Sequence, residues 1–404
     1  MNVEITPKKL CGKVCAVSSK SYAHRALIAA AVSESPCDII LNCFSEDISA
    51  TQNCINALGA VCEYNEEKGM IRVNPIKSKI KSCTLDAGES GSTARFMLPV
   101  AAALCDEVKI TGRGRLPERP LTPLLREMKK NGVIANSEKL PLATKGFLKS
   151  GSYFIEGNIS SQYITGLLLA LSLLDEKSEI KLLSPLESKG YINITLDVLK
   201  DFGGKIEETK DGYIVYPSNF KAPKQYVVEG DWSNSAFFVV ANAIGSKIEI
   251  GGLNLKSKQG DEKIAEIVKM FSEDGDKKID ASDIPDLVPV LAVLALKNKG
   301  KTKIYNAQRL RLKESDRIKT TVSALSAFGG RLEETEDGIE IYGTGNIKGG
   351  RAKGYNDHRI VMALAIASTI AEEKCIIEGA EAVKKSYPKF FEDFGELGGE
   401  INVV

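Results

Sequence analysis

The chain has 404 residues, more than one hydrophobic core normally serves, so we expect two domains of about 200 residues each. Hydrophobic residues make up 43% and charged residues 26% of the sequence, which is an ordinary composition for a globular protein. The net charge of only +1 argues against long-range attraction to nucleic acid or to a membrane surface. If the protein binds anions, its positive charge must be concentrated locally.

Apolar runs and cysteines exclude further classes of protein. Runs such as "LVPVLAVLAL" at 287–296 are shorter than the roughly 18 residues of a membrane span, and "ALIAAAV" at 26–32 is too short and too late for a signal peptide. Nine cysteines without a CxxC pair, with only two histidines, fit neither a disulfide framework nor a metal site. We therefore expect reduced, mostly buried thiols in a cytoplasmic protein.

Six segments in chain order share one pattern, a polar cluster followed at once by a helical run of small and apolar residues. They begin near residues 19, 90, 160, 231, 283 and 356, at intervals of about 70 residues with one shorter interval. Each run is followed by a short predicted strand, and then by an amphipathic helix that often ends in a glycine stop and a further strand. In "IKTTVSALSAF", Ile318, Val322 and Leu325 keep helical spacing, which predicts one buried face. The sequence is therefore built from six repeats.

Three repeats per domain divide the chain into residues 18–228 and the remainder. Residues 1–17 precede the first repeat, and we assign them to the domain formed by residues 229–404 because a split ring of six repeats needs the chain to cross twice. This division predicts an α/β (α+β) protein of two similar lobes that can close over a ligand. The cleft between the lobes is the predicted place for a functional site.

The polar cluster before each first helix has a physical meaning. A helix N-terminus offers unpaired N–H groups and about half a positive charge, which favours anions. The polar residues at these starts are Lys20, Ser21, Arg25, Ser92, Thr93, Arg95, Ser160, Ser161, Gln162, Asp286, Asp357, His358 and Arg359. For any single Ser, Thr or Asp, a role as N-cap is the better explanation, but the enrichment of six starts in Lys, Arg and Gln favours convergent anion binding.

The segment "KESDR" at 313–317 concentrates four charges in five residues. Taken alone, it is typical of a solvated helix face with pairs three and four residues apart. Its place at a later helix start instead adds it to the anion-binding set. Common nucleotide motifs are not matched: "ALKNKGKT" has Ala295 where a P-loop needs its first glycine, and "GTGNIKGG" has Lys348 where a dinucleotide fingerprint needs its third.

At these residues the chain resembles a known family. The segments that match the successive signatures of the EPSP synthase (3-phosphoshikimate 1-carboxyvinyltransferase) family, in the family's order, are "SSKSYAHRAL", "DAGESGSTARF", "RLPERPL", "SSQYITGLL", "LESKGYINIT", "DIPDLVPVLA", "LKESDRI", "YNDHRI" and "KKSYPKFF". The resemblance runs from residue 18 to 391. It implies two lobes of three βαβαββ repeats each, the inverse α/β barrel of enolpyruvyl transferases, with the active site in the interdomain cleft.

The resemblance also implies the reaction, transfer of the enolpyruvyl group of phosphoenolpyruvate to the 5-hydroxyl of shikimate 3-phosphate. It implies a monomer that uses these two small anions and needs no cofactor or metal. Residues matched to shikimate 3-phosphate are Ser21, Arg25, Ser160, Ser161, Gln162, Ser188, Tyr191, Asp286 and Lys313. Residues matched to phosphoenolpyruvate are Lys20, Gly91, Arg119, Gln162, Arg317, Arg359 and Lys385.

Two proton movements give the charged residues of these motifs their expected roles. Asp286 is the expected base near the 5-hydroxyl, and Glu314 the expected acid towards C3 of phosphoenolpyruvate. Lys313 is expected to contact the hydroxyl or the departing phosphate, and His358 to assist Lys20 or to bind the phosphate. These five residues form the predicted catalytic set.

Two alternatives and one departure from the family pattern remain. The sister transferase that acts on UDP-N-acetylglucosamine commonly carries a cysteine in a loop that here reads "GRGRLPERPLTP", and a non-catalytic phospholigand-binding protein would not need both Asp286 and Glu314. Glu89 stands where an amide is common in the family, so its role is open.

The resemblance also implies sensitivity to glyphosate, because the chain keeps the small Gly91 in the segment "ESGST".

Overall fold

The computed structural model describes residues 1–78 and 80–404. The chain divides into two compact units, Ser18–Glu229, here called the central unit, and Met1–Val17 with Gly230–Val404, here called the terminal unit. The N-terminal segment therefore folds with the C-terminal half of the chain. No helix within the described residues is both long and apolar enough to cross a bilayer. Seven of the nine cysteines are buried, as predicted.

Short helices and short strands alternate along both units. The helices are α1 (Lys20–Ala31), α2 (Glu46–Ala57), α3 (Gly91–Leu104), α4 (Thr122–Lys130), α5 (Ser161–Leu171), α6 (Lys189–Asp201), α7 (Trp232–Ala243), α8 (Ile264–Met270), α9 (Val288–Lys297), α10 (Arg317–Ala327), α11 (His358–Ser368) and α12 (Phe390–Glu396). The strands are β1 (Asn2–Thr6), β2 (Cys11–Cys15), β3 (Cys37–Ile40), β4 (Val61–Asn65), β5 (Met70–Asn74), β6 (Ser82–Asp86), β7 (Glu107–Thr111), β8 (Ile134–Ala135), β9 (Leu142–Lys145), β10 (Ser152–Ile155), β11 (Ser178–Leu182), β12 (Lys205–Thr209), β13 (Gly212–Tyr216), β14 (Gln225–Val227), β15 (Lys247–Gly251), β16 (Lys277–Asp280), β17 (Gly300–Tyr305), β18 (Arg331–Glu334), β19 (Ile339–Gly343), β20 (Gly350–Lys353), β21 (Cys375–Glu378) and β22 (Glu400–Val403).

The central unit repeats one sheet topology three times. Its sheets have the orders β6-β7-β9-β8, β10-β11-β13-β12 and β14-β3-β5-β4. In each sheet the first pair is parallel and the remaining pairs are antiparallel, as a βαβαββ chain order requires. In the last sheet β14, at the end of the unit, takes the place of the first strand. The predicted α/β repeat is therefore confirmed.

The terminal unit follows the same plan with one shorter repeat. Its sheets are β16-β17-β19-β18 and β20-β21-β1-β22, together with the parallel pair β15-β2. Strand β1 completes the last sheet and β2 the first, which explains why residues 1–17 belong here. After α8 the described chain continues to β16 without the hairpin that the other repeats carry, which explains the one short interval in the sequence.

The first helix of each repeat is buried because its run consists of small and apolar residues. Helices α3 and α5 lie so close that a Cβ atom at Gly166 would be 2.2 Å from the carbonyl oxygen of Arg95. Only glycine permits this approach. It brings the polar first turns of the two helices together, and Gln162 Nε2 donates to Ser92 Oγ over 3.0 Å. Helix packing thus assembles polar side chains in the central unit.

Candidate functional site

The sequence-predicted residues divide between the two units. In the central unit lie Lys20, Ser21, Arg25, Gly91, Arg119, Ser160, Ser161, Gln162, Ser188 and Tyr191. In the terminal unit lie Asp286, Lys313, Glu314, Arg317, His358, Arg359 and Lys385.

The starts of α1, α2 and α3 are tied together in the central unit. Lys20 is the first residue of α1, and its Nζ lies 2.7 Å from Asp47 Oδ2, with the two side chains 16% and 12% exposed. The carbonyl oxygen of Asp47 accepts from Thr93 Oγ1 over 3.4 Å. Thr93 N in turn donates to Ser90, the N-cap of α3. Asp47 was not predicted, and its only signal in the sequence is its place in the first turn of an acidic helix start, "SEDIS".

Arg25 is a buried cation held by neutral groups. Its Nε donates to Thr195 Oγ1 over 2.7 Å, and its two Nη atoms donate to the Ser21 and Tyr191 carbonyls over 2.6 and 3.0 Å. The side chain is 2% exposed and forms no ion pair with any residue that the structure describes. Burial lowers the pKa of the guanidinium group. A buried positive charge without a carboxylate partner favours an anionic ligand.

Two guanidinium groups lie against Gly91, the first residue of α3. A Cβ atom at this position would be 2.5 Å from Arg119 Nη1 and 2.7 Å from Arg95 Nη1. Arg95 Nη1 also donates to Gln162 Oε1 over 2.8 Å. The glycine therefore keeps backbone and cations close together at a helix N-terminus, which is a cradle for a small anion. Arg95 was noted as part of a helix start in the sequence but was not assigned to a ligand.

The remaining central-unit residues occupy helix starts. Ser160 caps α5 by accepting from Gln162 N over 3.3 Å, and Ser161, the next residue, is buried. Ser188 precedes α6 with a left-handed backbone at φ 55°, a conformation that costs energy for serine and is often found at functional sites. Glu89 lies beside the "GRGRLP" loop, because a Cβ atom at Gly114 would be 2.5 Å from its carboxyl carbon. The structure thus places the Glu89 carboxyl group against this loop, one residue before the N-cap of α3.

Arg317 is the centre of the charged cluster in the terminal unit. It is 1% exposed, and its Nη1, Nη2 and Nε lie 2.8, 2.7 and 2.8 Å from Asp286, Glu314 and Asp357. Burial alone would lower the pKa of Arg317, but the carboxylates of Asp357, Glu314 and Asp286 raise it above its usual range. The guanidinium is therefore a fixed positive charge that orients three acids.

Asp286 joins three cations through one carboxylate. Its Oδ1 lies 2.8 Å from Arg317 Nη1 and 3.5 Å from Lys313 Nζ, and its Oδ2 lies 3.1 Å from Arg359 Nη2. It stands in the 3₁₀ turn Pro285–Leu287 that leads into α9. Three elements distant in sequence thus place an acid and three cations together.

The "KESDR" segment is not a solvated helix face. Helix α10 begins only at Arg317, and Asp316 caps it by accepting from Lys319 N over 3.2 Å. Lys313 and Glu314 precede the helix and point their charges at Asp286 and Arg317. The close spacing of these charges therefore serves a partly buried ion-pair cluster around Arg317.

Helix α11 supplies the other side of this cluster. Asp357 caps the helix by accepting from Arg359 N over 3.0 Å, and it also holds Arg317. His358 is 2% exposed, with Nδ1 4.0 Å from Asp357 Oδ1. Lys385 is 5% exposed and donates to the carbonyl of Asn356 over 2.6 Å. The motif "YNDHR" thus places a cap, a histidine and an arginine at one helix start.

Chemically, the terminal-unit cluster combines acids that can exchange protons with cations that can bind anions. No group of His, Cys, Asp and Glu among the described residues is arranged to hold a metal ion.

Comparisons with known proteins identify relatives of this chain. The family model described as EPSP synthase (3-phosphoshikimate 1-carboxyvinyltransferase) matches residues 5–394. The 3-phosphoshikimate 1-carboxyvinyltransferase of Clostridium novyi (strain NT) is 42% identical, covering 99% of this chain and 98% of that protein, and the enzyme of that name from Clostridium kluyveri is also 42% identical with the same coverage.

Solved structures share the fold. An EPSP synthase from Acinetobacter baumannii has a TM-score of 0.81 at 22% identity, with 100% of both chains covered. The enolpyruvyl transferase NikO from Streptomyces tendae has a TM-score of 0.80 at 15% identity, covering 99% of this chain and 98% of its own. With the family model and the relatives above, these matches lead to one conclusion: the chain belongs to the EPSP synthase (3-phosphoshikimate 1-carboxyvinyltransferase) family.

Proposed function

We propose that this chain transfers the enolpyruvyl group of phosphoenolpyruvate to the 5-hydroxyl of shikimate 3-phosphate, giving 5-enolpyruvylshikimate 3-phosphate and phosphate. The observation that carries the proposal is the partly buried cluster in which Asp286 contacts Lys313, Arg317 and Arg359. A protein that only bound phospholigands would need the cations but not acids held among them. We place the reaction in the cytoplasm and expect a monomer, as the family resemblance implies.

Shikimate 3-phosphate is assigned to the central unit. Its carboxylate would act as the counter-ion of Arg25, beside Ser21 in the first turn of α1. Its phosphate would bind at the starts of α5 and α6, where Ser160, Ser161 and Ser188 lie next to N–H groups at a helix terminus. Tyr191, in the first turn of α6, would line the carbon ring of shikimate 3-phosphate.

Phosphoenolpyruvate is assigned to groups of both units. Lys20, Arg119 and Gln162 would bind its phosphate, with the backbone at Gly91. Arg359 and Lys385 would bind its carboxylate, and Arg supplies a planar fork for this purpose.

Arg317 requires a narrower assignment than the motif suggests. Its nitrogens already donate to Asp286 and to both oxygens of Asp357, and its Nη2 forms an ion pair with Glu314 Oε2 over 2.7 Å. The hydrogen bonds use three of its five N–H groups, and the Glu314 carboxylate occupies the space beside Nη2. A two-pronged grip on phosphoenolpyruvate would require one carboxylate to leave, so we assign Arg317 chiefly to holding the acids in place.

The proton movements follow from the chemistry of the reactants. As the 5-hydroxyl oxygen bonds to C2 of phosphoenolpyruvate, its proton passes to the Asp286 carboxylate, and C3 gains a proton from Glu314 to become a methyl group. The product keeps a carbon–carbon double bond, so the methyl group must lose a proton again as phosphate departs. Glu314, now a carboxylate, can take that proton. Lys313, 3.5 Å from Asp286, can donate to the hydroxyl oxygen or to the leaving phosphate.

A phosphate-release assay tests the proposed function. Release is expected with phosphoenolpyruvate and shikimate 3-phosphate together, and not with phosphoenolpyruvate alone. Release with UDP-N-acetylglucosamine instead would identify the sister reaction, and binding of shikimate 3-phosphate without release would identify a non-catalytic protein.

Replacing Arg25 by alanine is expected to abolish binding of shikimate 3-phosphate. The buried cation has only neutral partners, so its removal leaves no carboxylate unpaired in the protein, whereas the ligand loses its counter-ion. Thermal unfolding with and without shikimate 3-phosphate measures this, because a ligand that binds the folded state raises the midpoint.

Arg126 provides a matched control for Arg25. It pairs with Glu127 and Glu156 at 2.9 Å, and Glu127 is completely buried. Arg126→Ala is therefore expected to lower the unfolding midpoint by itself but to keep the ligand-induced rise. A normal rise in the Arg25→Ala protein would contradict the assignment of the acceptor to this unit.

Replacing Gly91 by alanine is expected to weaken glyphosate inhibition more than phosphoenolpyruvate binding. The added methyl group would sit 2.5 Å from Arg119 Nη1 and 2.7 Å from Arg95 Nη1, so both guanidinium groups must move. We expect KM for phosphoenolpyruvate to rise severalfold and the inhibition constant to rise further, because the longer anion tolerates the intrusion less. Inhibition titrations at fixed shikimate 3-phosphate measure both constants.

Gly395→Ala is the control for this substitution, because a Cβ atom there would meet only Ile401 at 3.9 Å. It is expected to leave both constants unchanged. Equal rises of KM and the inhibition constant in Gly91→Ala would show that the methyl group does not distinguish the two anions.

A further inference from the structure

Asp261 is a buried acid that packs against the start of α7, and no sequence motif singled it out. It is 3% exposed and lies in the 3₁₀ turn Gly260–Lys263, where its Oδ2 accepts from the Ser233 hydroxyl. The neighbouring Gln259 accepts from Trp232 N over 3.0 Å. This turn therefore covers the first turn of α7 and fixes the position of Ser233.

Ser233 connects this acid to the charged cluster. Its carbonyl oxygen accepts from Arg359 Nη1 over 3.4 Å, while Arg359 Nη2 lies 3.1 Å from Asp286 Oδ2. Asp261, Ser233, Arg359 and Asp286 thus form a continuous chain of contacts. A change in charge at Asp261 can therefore act on Arg359 both through space and through Ser233.

The surroundings of the Asp261 carboxyl group favour its protonated form. Burial and, after it, the negative charges of Asp286 and Asp231 raise the pKa of Asp261, whereas Arg359 and the Ser233 hydroxyl lower it, so that the pKa lies at about 7. These groups belong to α7 and its N-cap, to the turn before α9, and to α11. A buried acid of this kind lowers stability, and such acids cluster at functional sites.

We propose that Asp261 is a positioning residue that couples the binding of an anion at Arg359 to the uptake of a proton by its own carboxyl group. The proposal rests on the proposed function, which assigns Arg359 to the carboxylate of phosphoenolpyruvate. The bound anion adds negative charge near Asp261 and competes with Asp286 for Arg359. Both effects favour the neutral acid, so binding takes up a proton and the affinity falls as pH rises through about 7.

Kinetics as a function of pH provide the first test. From about pH 6 to about pH 8.5, KM for phosphoenolpyruvate should rise about tenfold in the wild-type protein, which corresponds to one pKa unit of coupling. Asp261→Asn should remove this rise, because the amide accepts the Ser233 hydrogen bond but cannot ionise. The phosphate group of phosphoenolpyruvate itself titrates at about pH 6, but its contribution to the pH dependence of KM is the same for every variant.

Ser233→Ala separates coupling from structural damage. The Ser233 hydroxyl lowers the pKa of Asp261, so its removal should move the midpoint of the pH dependence to higher pH rather than abolish it. Asp393→Asn is the control, because Asp393 is a half-buried acid that also accepts from a hydroxyl, that of Tyr387. Burial raises the pKa of Asp393, and the groups that modify it are Tyr387, Glu396, Glu392 and Lys389, none of which belongs to the charged cluster, so this variant should keep the wild-type pH dependence.

Proton uptake on adding phosphoenolpyruvate alone, measured by calorimetry in two buffers of different ionisation enthalpy, is the second test and needs no turnover. If the wild-type protein takes up protons that Asp261→Asn does not, while no phosphate is released with shikimate 3-phosphate, the coupling stands and the proposed function fails. If Asp261→Asn takes up the same protons and keeps the wild-type pH dependence, the coupling is overturned. Should Asp261→Asn not fold, an unchanged midpoint in Ser233→Ala overturns it equally.

Discussion

Replacing Arg359 by alanine is expected to lower kcat/KM for phosphoenolpyruvate by a factor that corresponds to about 3–5 kcal/mol of lost transition-state stabilisation. Arg359 is 4% exposed and is bound through separate nitrogens to Asp286 and to the Ser233 carbonyl. Its removal deprives the bound carboxylate of a partner and leaves Asp286, which is only 14% exposed, with one cation fewer. Steady-state kinetics at saturating shikimate 3-phosphate measure the loss.

Lysine is expected to restore only a small part of this loss. A single ammonium group cannot reach Asp286 and the Ser233 carbonyl through two separate nitrogens as the guanidinium does. The matched control is Arg351→Ala, because Arg351 also pairs with a carboxylate, Glu378 at 2.9 Å, but is 57% exposed. That variant should have normal kinetics. Normal kinetics in Arg359→Ala would show that the "YNDHR" motif has been misassigned.

The repeats could be predicted from the sequence because each is a local pattern. A polar cluster, an apolar run and a short strand recur within about 70 residues, and the strands follow where they were expected, for example at Ser178–Leu182 and Cys375–Glu378. The short repeat was visible as a short interval. That the missing piece is a hairpin could not be predicted, because an interval shows how many residues are absent but not which element.

The candidate residues could be named from the sequence, but their partners could not. Asp47, Asp261 and Asp357 look like ordinary acids near helix starts, and their importance depends on side chains that lie far along the chain. Asp357 pairs with Arg317 across 40 residues, and Asp286 with Arg359 across 73. Such contacts depend on packing of whole helices, which leaves no periodic signal in a single sequence. The roles of these residues in catalysis stay predictions.

Asp261 illustrates the difference most clearly. In the sequence it lies in "KQGDEK", a polar segment typical of a solvated turn. In the structure the same turn covers α7, and Asp261 is 3% exposed. Burial depends on what packs over a segment, and no pattern within the segment records that. Polar residues that become buried through long-range packing are therefore where sequence interpretation fails, and here such a residue lies beside the charged cluster.

Replacing Asp286 by asparagine or Glu314 by glutamine is expected to reduce kcat by about 10²- to 10⁴-fold, the usual contribution of a general acid or base. Both substitutions keep the shape of the side chain but remove the ability to exchange a proton. Asp286→Asn also takes one negative charge from Lys313, Arg317 and Arg359, so its KM for anions should fall or stay unchanged while kcat falls. A lower kcat without a higher KM distinguishes loss of a base from loss of a binding group, because loss of a binding group would raise KM.

Exchange of hydrogen at C3 distinguishes the two acids from each other. If Glu314 delivers and removes the C3 proton, wild-type turnover in D₂O should place deuterium in the enolpyruvyl group, and Glu314→Gln should lose this exchange along with turnover. Asp316→Asn is the control from the same motif, because Asp316 caps α10 and pairs with Arg311, and asparagine is an equally good cap. It should retain both turnover and exchange. A Glu314→Gln protein that still exchanges deuterium at the wild-type rate would assign C3 to another acid, and His358, 2% exposed at the start of α11, would be the next residue to replace.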